Sequence, residues 1–363
     1  MLLLLSNSID ETADVLMQLC RERAAPAFRF NIDLWADYRF AWQHDGFVIH
    51  DPKGRTASSG DVSACLWRRP SLLDTPLWKG GTIDDRDATA AELHTIVREL
   101  AAWAAATGRL RLIEPGGARR AGRLTQMRLA RRFFHVPEWT VGWGFRSPPG
   151  RRMVKRLSTE GLGSAKDRYI FVRSVDAERL SPSWPWLLQD VATGTHDATV
   201  LHVNGRSFAF LLENSRDELN VEDWRTRIGA YRDRWIPWSL APDLSRSIDA
   251  YMKCLGLRFG RLDFLVGKDE VSFLEVNPSG QFGWLDSAPD WSLHNAVLSA
   301  ALDPSSSING NEEITETEGA TASNSEVAST SFRLESAESC SSWIGSTEPQ
   351  RSSGAPNENP LYS

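Results

Sequence analysis

The segment from Arg261 to Asn277 constrains the fold of this chain more than any other, because both of its halves alternate between apolar and polar residues around a polar turn. A period of two is typical of β-strands that bury one face, and a turn between two such strands predicts a hairpin. With a loop at residues 268–270, the buried face consists of Leu262, Phe264, Val266, Leu274 and Val276. A slip by one residue would expose this whole face, so the pattern predicts the register.

The polar face of this hairpin would carry Arg261, Asp263, Glu275 and Asn277. The same register places Asp263 directly opposite Glu275, with their Cβ atoms about 5 Å apart. Two carboxylates at this distance repel each other unless a cation lies between them, and Mg²⁺ prefers oxygen ligands from one or two carboxylates and from substrate phosphates. Asn277 can add a carbonyl oxygen. The residues alone leave a second interpretation open, in which Arg261 neutralises the two acids on an exposed strand.

The chain as a whole has the length and composition of a soluble globular protein with two or three subdomains. Its apolar start, Leu2 to Leu5, lacks a basic flank and is too short for a signal peptide or a membrane span. This start therefore predicts a buried first strand in a cytoplasmic protein. The cysteines lie far apart and form no zinc-binding pattern, so we expect them to be reduced and structural: Cys20, Cys65, Cys254 and Cys340.

Hydrophobic periodicity predicts a mixed α/β chain. In the first part, strands are predicted at 2–5, 28–32, 40–42, 47–49, 63–67 and 111–113, and helices at 9–23 and 88–106. A basic helix at 120–134 ends before Pro137, and strands follow at 153–157, 169–172, 187–191, 198–203 and 207–212. A helix at 245–255 precedes the hairpin, and a last helix spans 292–302.

The charge of the chain is concentrated at its C-terminal end. Residues 304–363 contain nine Glu and two Arg, which exceeds the net charge of −6 of the whole chain. This segment is rich in Ser, Thr and Glu and poor in large apolar residues, so it is predicted to be a disordered tail. Arginine clusters at 119–132 and 151–156 suit phosphates or an acidic peptide. No nucleic-acid-binding signature accompanies them, so nucleic acid is not an expected partner.

A Pro/Gly turn follows Asn277 and would bring backbone amides and a Gln to the polar face of the hairpin. The whole segment from Phe273 to Trp284, FLEVNPSGQFGW, resembles the metal-binding segment of ATP-grasp ligases. Within these ligases it is most similar to the maturases that macrocyclise microviridin-type peptides, the graspetides. Other pieces resemble the family in the same order over roughly residues 1 to 300: Leu66–Pro70, Val154–Lys155, Leu188–Asp190 before Asp197, and Asp223–Arg225.

The resemblance implies an α/β ATP-grasp fold with an N-terminal Rossmann-like domain. The implied boundaries are 1–115 for this pre-ATP-grasp domain, 116–195 for the lid subdomain, 196–303 for the C-terminal subdomain with the metal site, and 304–363 for the tail. The implied ligands are ATP and Mg²⁺, with Mg²⁺ held by Asp263, Glu275 and Asn277.

The resemblance also assigns roles in nucleotide binding and phosphoryl transfer. Lys155 would bind phosphate from a lid strand, and Arg123 stands nearest to the position where the family has a lysine. Gln189, Asp190 and Val191 would form the hinge whose backbone holds adenine. Arg225 would face the transferred phosphoryl group. Plainer alternatives are a solvated strand-end lysine at 155, a buried strand end at 189–191 and a salt-bridged loop around 225.

The first domain and the start of the third contain two further open points. Trp67 and Arg68 either line the site or are a core tryptophan beside a surface arginine. The family has an Asp-x-Arg pattern where this chain has Asp197-Ala198-Thr199. The missing arginine would have to be replaced by His196, Arg206 or Arg225.

The implied activity is that of an ADP-forming ligase that acts on the leader and core of a ribosomal precursor peptide. It would activate Glu or Asp side chains as acyl phosphates and close ω-ester or ω-amide rings, and a homodimer is expected. One alternative is an ATP-grasp ligase that joins an amino acid or amine to a protein tail or a small-molecule carboxylate. Another is a catalytically silent peptide-binding module, which Thr199 favours and the retained Asp263, Glu275 and Lys155 disfavour.

Overall fold

The computed structural model describes residues 1–72, 83–115, 122–143, 150–155, 157, 173–181, 183, 185–213, 234–286 and 289–308. Several predictions lie outside the described residues: the strand at 169–172, the Asp223–Arg225 segment, Cys340, and the tail beyond residue 308. No helix in the described part of the chain is both long and apolar enough to cross a lipid bilayer.

The chain begins with a four-stranded parallel sheet, in the order β2-β1-β6-β7. Its strands are β1 (Leu2–Ser6), β2 (Ala27–Asn31), β6 (Ala64–Trp67) and β7 (Leu110–Arg111). The apolar run of β1 is continuous because both faces of the sheet are covered. Leu2 and Leu4 face one core, whereas Leu3 and Leu5 face the other. This layered sheet confirms the predicted Rossmann-like start.

Three helices cover this sheet, two from the first part of the chain and one from the end of its described part. Helix α1 (Glu11–Glu22) begins at Asp10, whose side chain accepts a hydrogen bond from the backbone N–H of Ala13. Helix α2 (Ile83–Ala106) covers the opposite face through residues such as Val97. The helix from Ser292 to Leu302, here α5, contacts α1 and shares its core. The end of the described chain therefore lies against its beginning.

Beside this sheet lies an antiparallel sheet of three short strands, β3 (Arg39–Gln43), β4 (Gly46–His50) and β5 (Thr56–Ser58). Gln43 pairs with Gly46, so the predicted hairpin turns at His44 and Asp45. The Phe47 ring contacts the Trp103 ring of α2, with centroids 4.8 Å apart.

The next sheet has the order β10-β9-β11-β8 and is antiparallel. It consists of β8 (Trp139–Gly142), β9 (Arg151–Lys155), β10 (Arg173–Asp176) and β11 (Trp186–Gln189). The sequence did not predict β8. The predicted strand at 187–191 ends earlier than expected, because Asp190 and Val191 lie beyond β11.

The last sheet has five antiparallel strands in the order β14-β13-β12-β15-β16. Its strands are β12 (His196–Val203), β13 (Arg206–Leu212), β14 (Ile236–Pro237), β15 (Phe259–Val266) and β16 (Val271–Asn277). Helices α3 (Arg123–Ala130) and α4 (Pro242–Cys254) pack on it around Phe264 and Phe273. Helix α3 is shorter than the predicted 120–134, since Phe134 leaves the helix and contacts the Tyr251, Phe264 and Phe273 rings.

The expected tail does not begin at residue 304. Pro304–Ser306 form a short 3-10 helix after Asp303. Ile308 is buried, and its backbone N–H donates to the carbonyl of Leu110 at 3.0 Å. The prediction of disorder from 304 was wrong for residues 304–308. The physical reason is Ile308, a large apolar side chain that follows three serines and is buried in the core of the first sheet.

The described cysteines, Cys20, Cys65 and Cys254, are free and buried, as expected. Burial raises the pKa of the Cys65 thiol to about 12, with a smaller opposing effect from Arg111. Thiols of this kind are unreactive at neutral pH.

Candidate active site

The hairpin of β15 and β16 places Asp263 and Glu275 opposite each other, as the sequence predicts. Asp263 pairs with Glu275, Leu262 pairs with Val276, and Arg261 pairs with Asn277. At this end of the hairpin the predicted register is confirmed.

Towards the turn the register differs from the prediction. Phe264 pairs with Phe273 and Val266 with Val271, so Leu274 is an extra residue opposite the Asp263–Phe264 step. Phe273 is fully buried in the core, whereas Leu274 is only partly buried. The predicted position of Leu274 on the buried face was therefore wrong.

This β-bulge has a simple physical cause. Residues 273 and 275 are two apart and would lie on the same face of a regular strand. Phe273 is buried against Phe264, however, and Glu275 has to lie on the polar face beside Asp263. One inserted residue between them satisfies both demands, which is a common use of a bulge near functional sites.

Asp263 accepts hydrogen bonds from a residue of its own strand, β15, and from a residue of the neighbouring strand β12. The Arg261 guanidinium donates from Nε to Oδ1 at 3.2 Å and from Nη2 to Oδ2 at 3.0 Å. Thr199, which pairs with Asp263 across β12 and β15, donates from Oγ1 to Oδ1 at 2.9 Å. The carboxylate has a fixed orientation, because charge-assisted bonds of this kind hold both of its oxygens.

Glu275 has a different cationic partner. Arg123, the first residue of α3, places Nη2 2.9 Å from Glu275 Oε2. The Asn277 amide nitrogen lies 3.4 Å from Asp263 Oδ2 and 3.3 Å from Glu275 Oε1. The three predicted metal ligands thus converge on one point, and the predicted nucleotide-binding arginine lies beside them.

The donor set suits Mg²⁺. It consists of two carboxylates and a side-chain amide, which can present oxygen instead of nitrogen after a flip. Within the described ranges no group of three or more His, Cys, Asp or Glu side chains is arranged to hold a metal. A cation at this hairpin would complete its coordination with oxygens from outside the protein, which is how Mg²⁺ is commonly held beside nucleotide phosphates.

Helix α3 joins this hairpin to the β8–β11 sheet. The Gln126 side-chain oxygen accepts a hydrogen bond from the backbone N–H of Val276 at 3.1 Å. One residue further, the Met127 sulfur lies 3.8 Å from Gln189 Nε2, and Gln189 also donates to the Pro137 carbonyl at 3.4 Å. Gln189 is buried at the end of β11, as the alternative of a buried strand end expected.

The other predicted nucleotide-binding residues lie around the same sheet. Lys155 is the last residue of β9, pairs with Leu187 and is only 8% exposed, so it is not a solvated strand-end lysine. Asp190 forms an ion pair with Arg152. Val191 is 46% exposed. The catalytic candidate Arg225 lies outside the described residues.

Thr199 occupies the position at which the sequence departs from the Asp-x-Arg pattern. His196 pairs with Val266 near the turn end of the hairpin, and Arg206 pairs with Val203 at the far end of β12. Neither is paired near Thr199. The arginine that shares a carboxylate with Thr199 is Arg261, which the sequence interpretation did not consider as a replacement.

Arg68 is a further residue whose importance the sequence left open. It follows β6 and is 1% exposed, so the alternative of a surface arginine was wrong. Its guanidinium donates to the Ser279 carbonyl at 3.2 Å and to the side-chain oxygen of Gln281. The signal in the sequence was an arginine at the carboxyl end of a buried parallel strand, where ligand sites of α/β sheets commonly lie.

Comparison with known proteins gives the fold. No family model matches the chain, and no curated protein matches it significantly in sequence. Among solved structures it resembles a Chryseobacterium gregarium RiPP-associated ATP-grasp ligase in complex with ADP and a leader and core peptide. The TM-score is 0.70 at 18% identity, over 82% of this chain and 95% of that one.

Two further structures agree. Macrocyclase MdnC from Microcystis aeruginosa MRC, bound with precursor peptide MdnA, gives a TM-score of 0.68 at 22% identity over 82% of this chain and 98% of that one. The ATP-grasp ligase PsnB, complexed with a minimal precursor, gives 0.62 at 15% identity over 84% of this chain and 98% of that one. Together with the hairpin geometry, these similarities establish that the chain has the fold of ATP-grasp ligases.

Proposed function

We propose that this protein is an ATP-dependent ligase that closes ω-ester or ω-amide rings in a ribosomal precursor peptide. The single observation that carries the proposal is the convergence of Asp263, Glu275 and Asn277 on one point of an ATP-grasp fold. Support for the peptide substrate comes from similar structures, which are complexes with leader, core or precursor peptides.

In this proposal the polar face of the hairpin holds Mg²⁺ through Asp263, Glu275 and Asn277. Bound there, Mg²⁺ would offset the negative charge that develops during phosphoryl transfer. Arg261 and Thr199 keep the Asp263 carboxylate in one orientation. Arg123, whose Nη2 lies 2.9 Å from Glu275 Oε2, would contact phosphate oxygens.

The remaining predicted residues would bind the nucleotide. Lys155 would contact phosphates from β9, and the backbone of Gln189, Asp190 and Val191 would hold adenine. Arg225 would stabilise the transferred phosphoryl group. The proposed subdomains keep the boundaries 1–115, 116–195 and 196–303, and a homodimer stays a prediction.

The proposed reaction has two steps. A carboxylate oxygen of a peptide Glu or Asp attacks the γ-phosphorus of ATP, the bond to ADP breaks, and an acyl phosphate forms. A Thr or Ser hydroxyl or a Lys amine then attacks the acyl carbon, loses its proton and displaces phosphate. Each ring costs the peptide one water in mass. The phosphate is the activated leaving group, so no separate acid–base residue is required.

The decisive experiment compares Glu275→Gln with Glu270→Gln in the same hairpin. Glu270 lies at the turn and pairs with His135 at 2.8 Å, away from the polar face. The assay measures ADP release and peptide mass with Mg-ATP and a Thr/Glu-rich precursor peptide encoded beside the protein. Wild type and Glu270→Gln should release ADP only with peptide, with a matching loss of water. Glu275→Gln should reduce this rate at least about a hundredfold, since it weakens the metal site.

Other outcomes would redirect the proposal. ATP binding without peptide modification would favour a ligase that acts on an amino acid, an amine or a small-molecule carboxylate. Nucleotide and peptide binding with no ADP release would favour a catalytically silent binding module. Failure to bind ATP with magnesium would overturn the metal site.

A further inference from the structure

The buried Arg68 connects the first sheet to the loop that follows the proposed metal ligands. Its backbone N–H continues the β1–β6 ladder by donating to the Leu5 carbonyl at 2.8 Å. Its side chain leaves this sheet and reaches the 278–282 loop, more than 200 residues away in sequence. A guanidinium in such a place has to be compensated, because burial of an unpaired charge is strongly unfavourable.

The compensation comes from both sides of the contact. From the first domain, Asp10 Oδ2 lies 3.4 Å from Arg68 Nε, and Thr12 Oγ1 lies 3.3 Å from Nη2. From the loop, Ser279 and Gln281 accept hydrogen bonds from Nη1 and Nη2. Burial lowers the pKa of Arg68 to about 10, against the opposing effect of Asp10. The side chain therefore remains charged at neutral pH.

The loop in turn holds the arginine that orients Asp263. The Gln281 carbonyl accepts a hydrogen bond from Arg261 Nη1 at 2.9 Å. The Trp284 ring lies under the Arg261 guanidinium, 4.9 Å from its centre. The remaining Arg261 nitrogens, Nε and Nη2, bind Asp263. A continuous series of contacts thus runs from Arg68 through Gln281 and Arg261 to a proposed metal ligand.

We propose that Arg68 is a positioning residue of the metal site, which acts through the 278–282 loop and Arg261 to hold Asp263 in place. The inference rests on the proposed function. Such outer contacts orient metal ligands, and their loss typically lowers metal affinity by about 10- to 100-fold.

Arg111 provides a matched control. It is also a buried arginine of the first sheet, and its described hydrogen bonds go to the backbone carbonyls of Gly108, Leu110 and Ser63. An Arg111→Lys change removes a buried guanidinium from the same domain without altering the contacts of the loop. It therefore separates general destabilisation from a specific effect on the metal site.

The test measures Mn²⁺ binding in the presence of ADP by the loss of the electron paramagnetic resonance signal of free Mn²⁺. Thermal unfolding of each variant measures its stability. Arg68→Lys should weaken Mn²⁺ binding about tenfold, and Arg111→Lys should leave it within about twofold. Gln281→Met removes the side-chain acceptor at a partly exposed position, so it should fold and reproduce the loss in part. The double variant Arg68→Lys, Gln281→Met should bind no more weakly than Arg68→Lys, because both changes break one series of contacts.

Each result has one meaning. Unchanged Mn²⁺ binding in both Arg68→Lys and Gln281→Met would overturn the positioning role and leave the proposed function intact. An equal loss in Arg111→Lys would also overturn it, because the effect would then be general destabilisation. If Arg68→Lys does not fold, Gln281→Met decides alone. Absence of Mn²⁺ binding by the wild type would overturn the proposed metal site itself.

Discussion

Two arginines set the charge of the candidate active site at the scale of single residues. Arg261 pairs with Asp263, and Arg123 pairs with Glu275, so two acids and two cations formally balance. The carboxylates are therefore compatible with the fold whether or not a cation is bound. The predicted repulsion between Asp263 and Glu275 is offset by Arg261 from β15 and Arg123 from α3. Arg261 therefore does neutralise one of the acids, as the second interpretation of the sequence expected, and it does so within the candidate site.

A further pair of ionisable side chains lies just beyond the 278–282 loop. Asp286 and His294 are both nearly buried, and His294 Nδ1 lies 2.6 Å from Asp286 Oδ2. Burial by itself would raise the pKa of Asp286. Hydrogen bonds from the His294 side chain and from the backbone of His294 and Leu293 outweigh it, so this pKa is lowered from its ordinary value of 3.8.

This pair predicts a pH-dependent stability. A lowered folded-state pKa stabilises the fold above pH 3.8, and the contribution is lost as the pH falls through the folded-state value. Asp286→Asn should lower the free energy of unfolding at pH 7 by about 1–3 kcal/mol. The difference from wild type should shrink below pH 3.8. Urea unfolding between pH 3 and 7 measures it, with the exposed Asp243→Asn as the control. A difference that does not vary with pH would contradict this account.

The 278–282 loop and the β-bulge are the elements that shape the site. The bulge separates the core face of β16 from its polar face, and the loop closes over Arg261. Gly280 is required at this close approach, because a Cβ atom there would lie 2.7 Å from Arg261 Cβ and 3.3 Å from Asn277 Cβ. Real Cβ atoms essentially never show a separation of 2.7 Å, so a larger residue would displace the loop.

Gly280→Ala should therefore lower the free energy of unfolding by about 1–3 kcal/mol, as overpacking typically does. It should also weaken Mn²⁺ binding with ADP, since the loop holds Arg261. Gly60→Ala is the matched control, because a Cβ there meets only Ser58 Oγ at 3.8 Å. That variant should be unchanged or slightly more stable. Chemical denaturation of both variants measures the effect, and equal behaviour of the two would rule out the steric explanation.

The first and last described segments pack together at the scale of the whole molecule. Helix α5 lies against α1, and residues beyond it return to β7, where Ile308 is buried. Leu201 and Phe259 of the last sheet share a core with Leu2 and Leu4 of the first. Residues of the proposed 1–115 and 196–303 subdomains therefore share one core around β1, and Arg68 extends from this packed core to the 278–282 loop.

Two truncations test this boundary. A chain that ends at Ile308 should unfold with about the same free energy as the full chain, because the composition beyond it predicts no buried core. A chain that ends at Asp303 also loses Ile308, and should be less stable by about 2–4 kcal/mol, the usual cost of losing a buried isoleucine. Urea unfolding distinguishes them. Equal stability of the two truncated chains would show that residues 304–308 contribute nothing.

Much of the fold followed from local patterns. The continuous apolar run of β1, the helical spacing in α1 and α2, and the hairpin of β3 and β4 were predicted because each pattern reflects burial of one element against its neighbours. Strand β8 was missed, and α3 was predicted too long, because Phe133 and Phe134 suit a helix locally but pack as a turn around Tyr251. Tertiary packing outweighed local preference in that segment.

The sequence by itself determined that Asp263 and Glu275 face each other, because the alternation around them places Leu262 and Val276 on the buried face. It also placed Asn277, the predicted third ligand, two residues further on the same face. Only the tertiary structure decided that Leu274 bulges and that Arg68 is buried. It also decided that Arg123 pairs with Glu275 and Arg261 with Asp263. The reason is physical: alternation reports which face of a strand is covered, whereas the partners of a side chain come from segments that are distant in sequence and meet only in the folded chain.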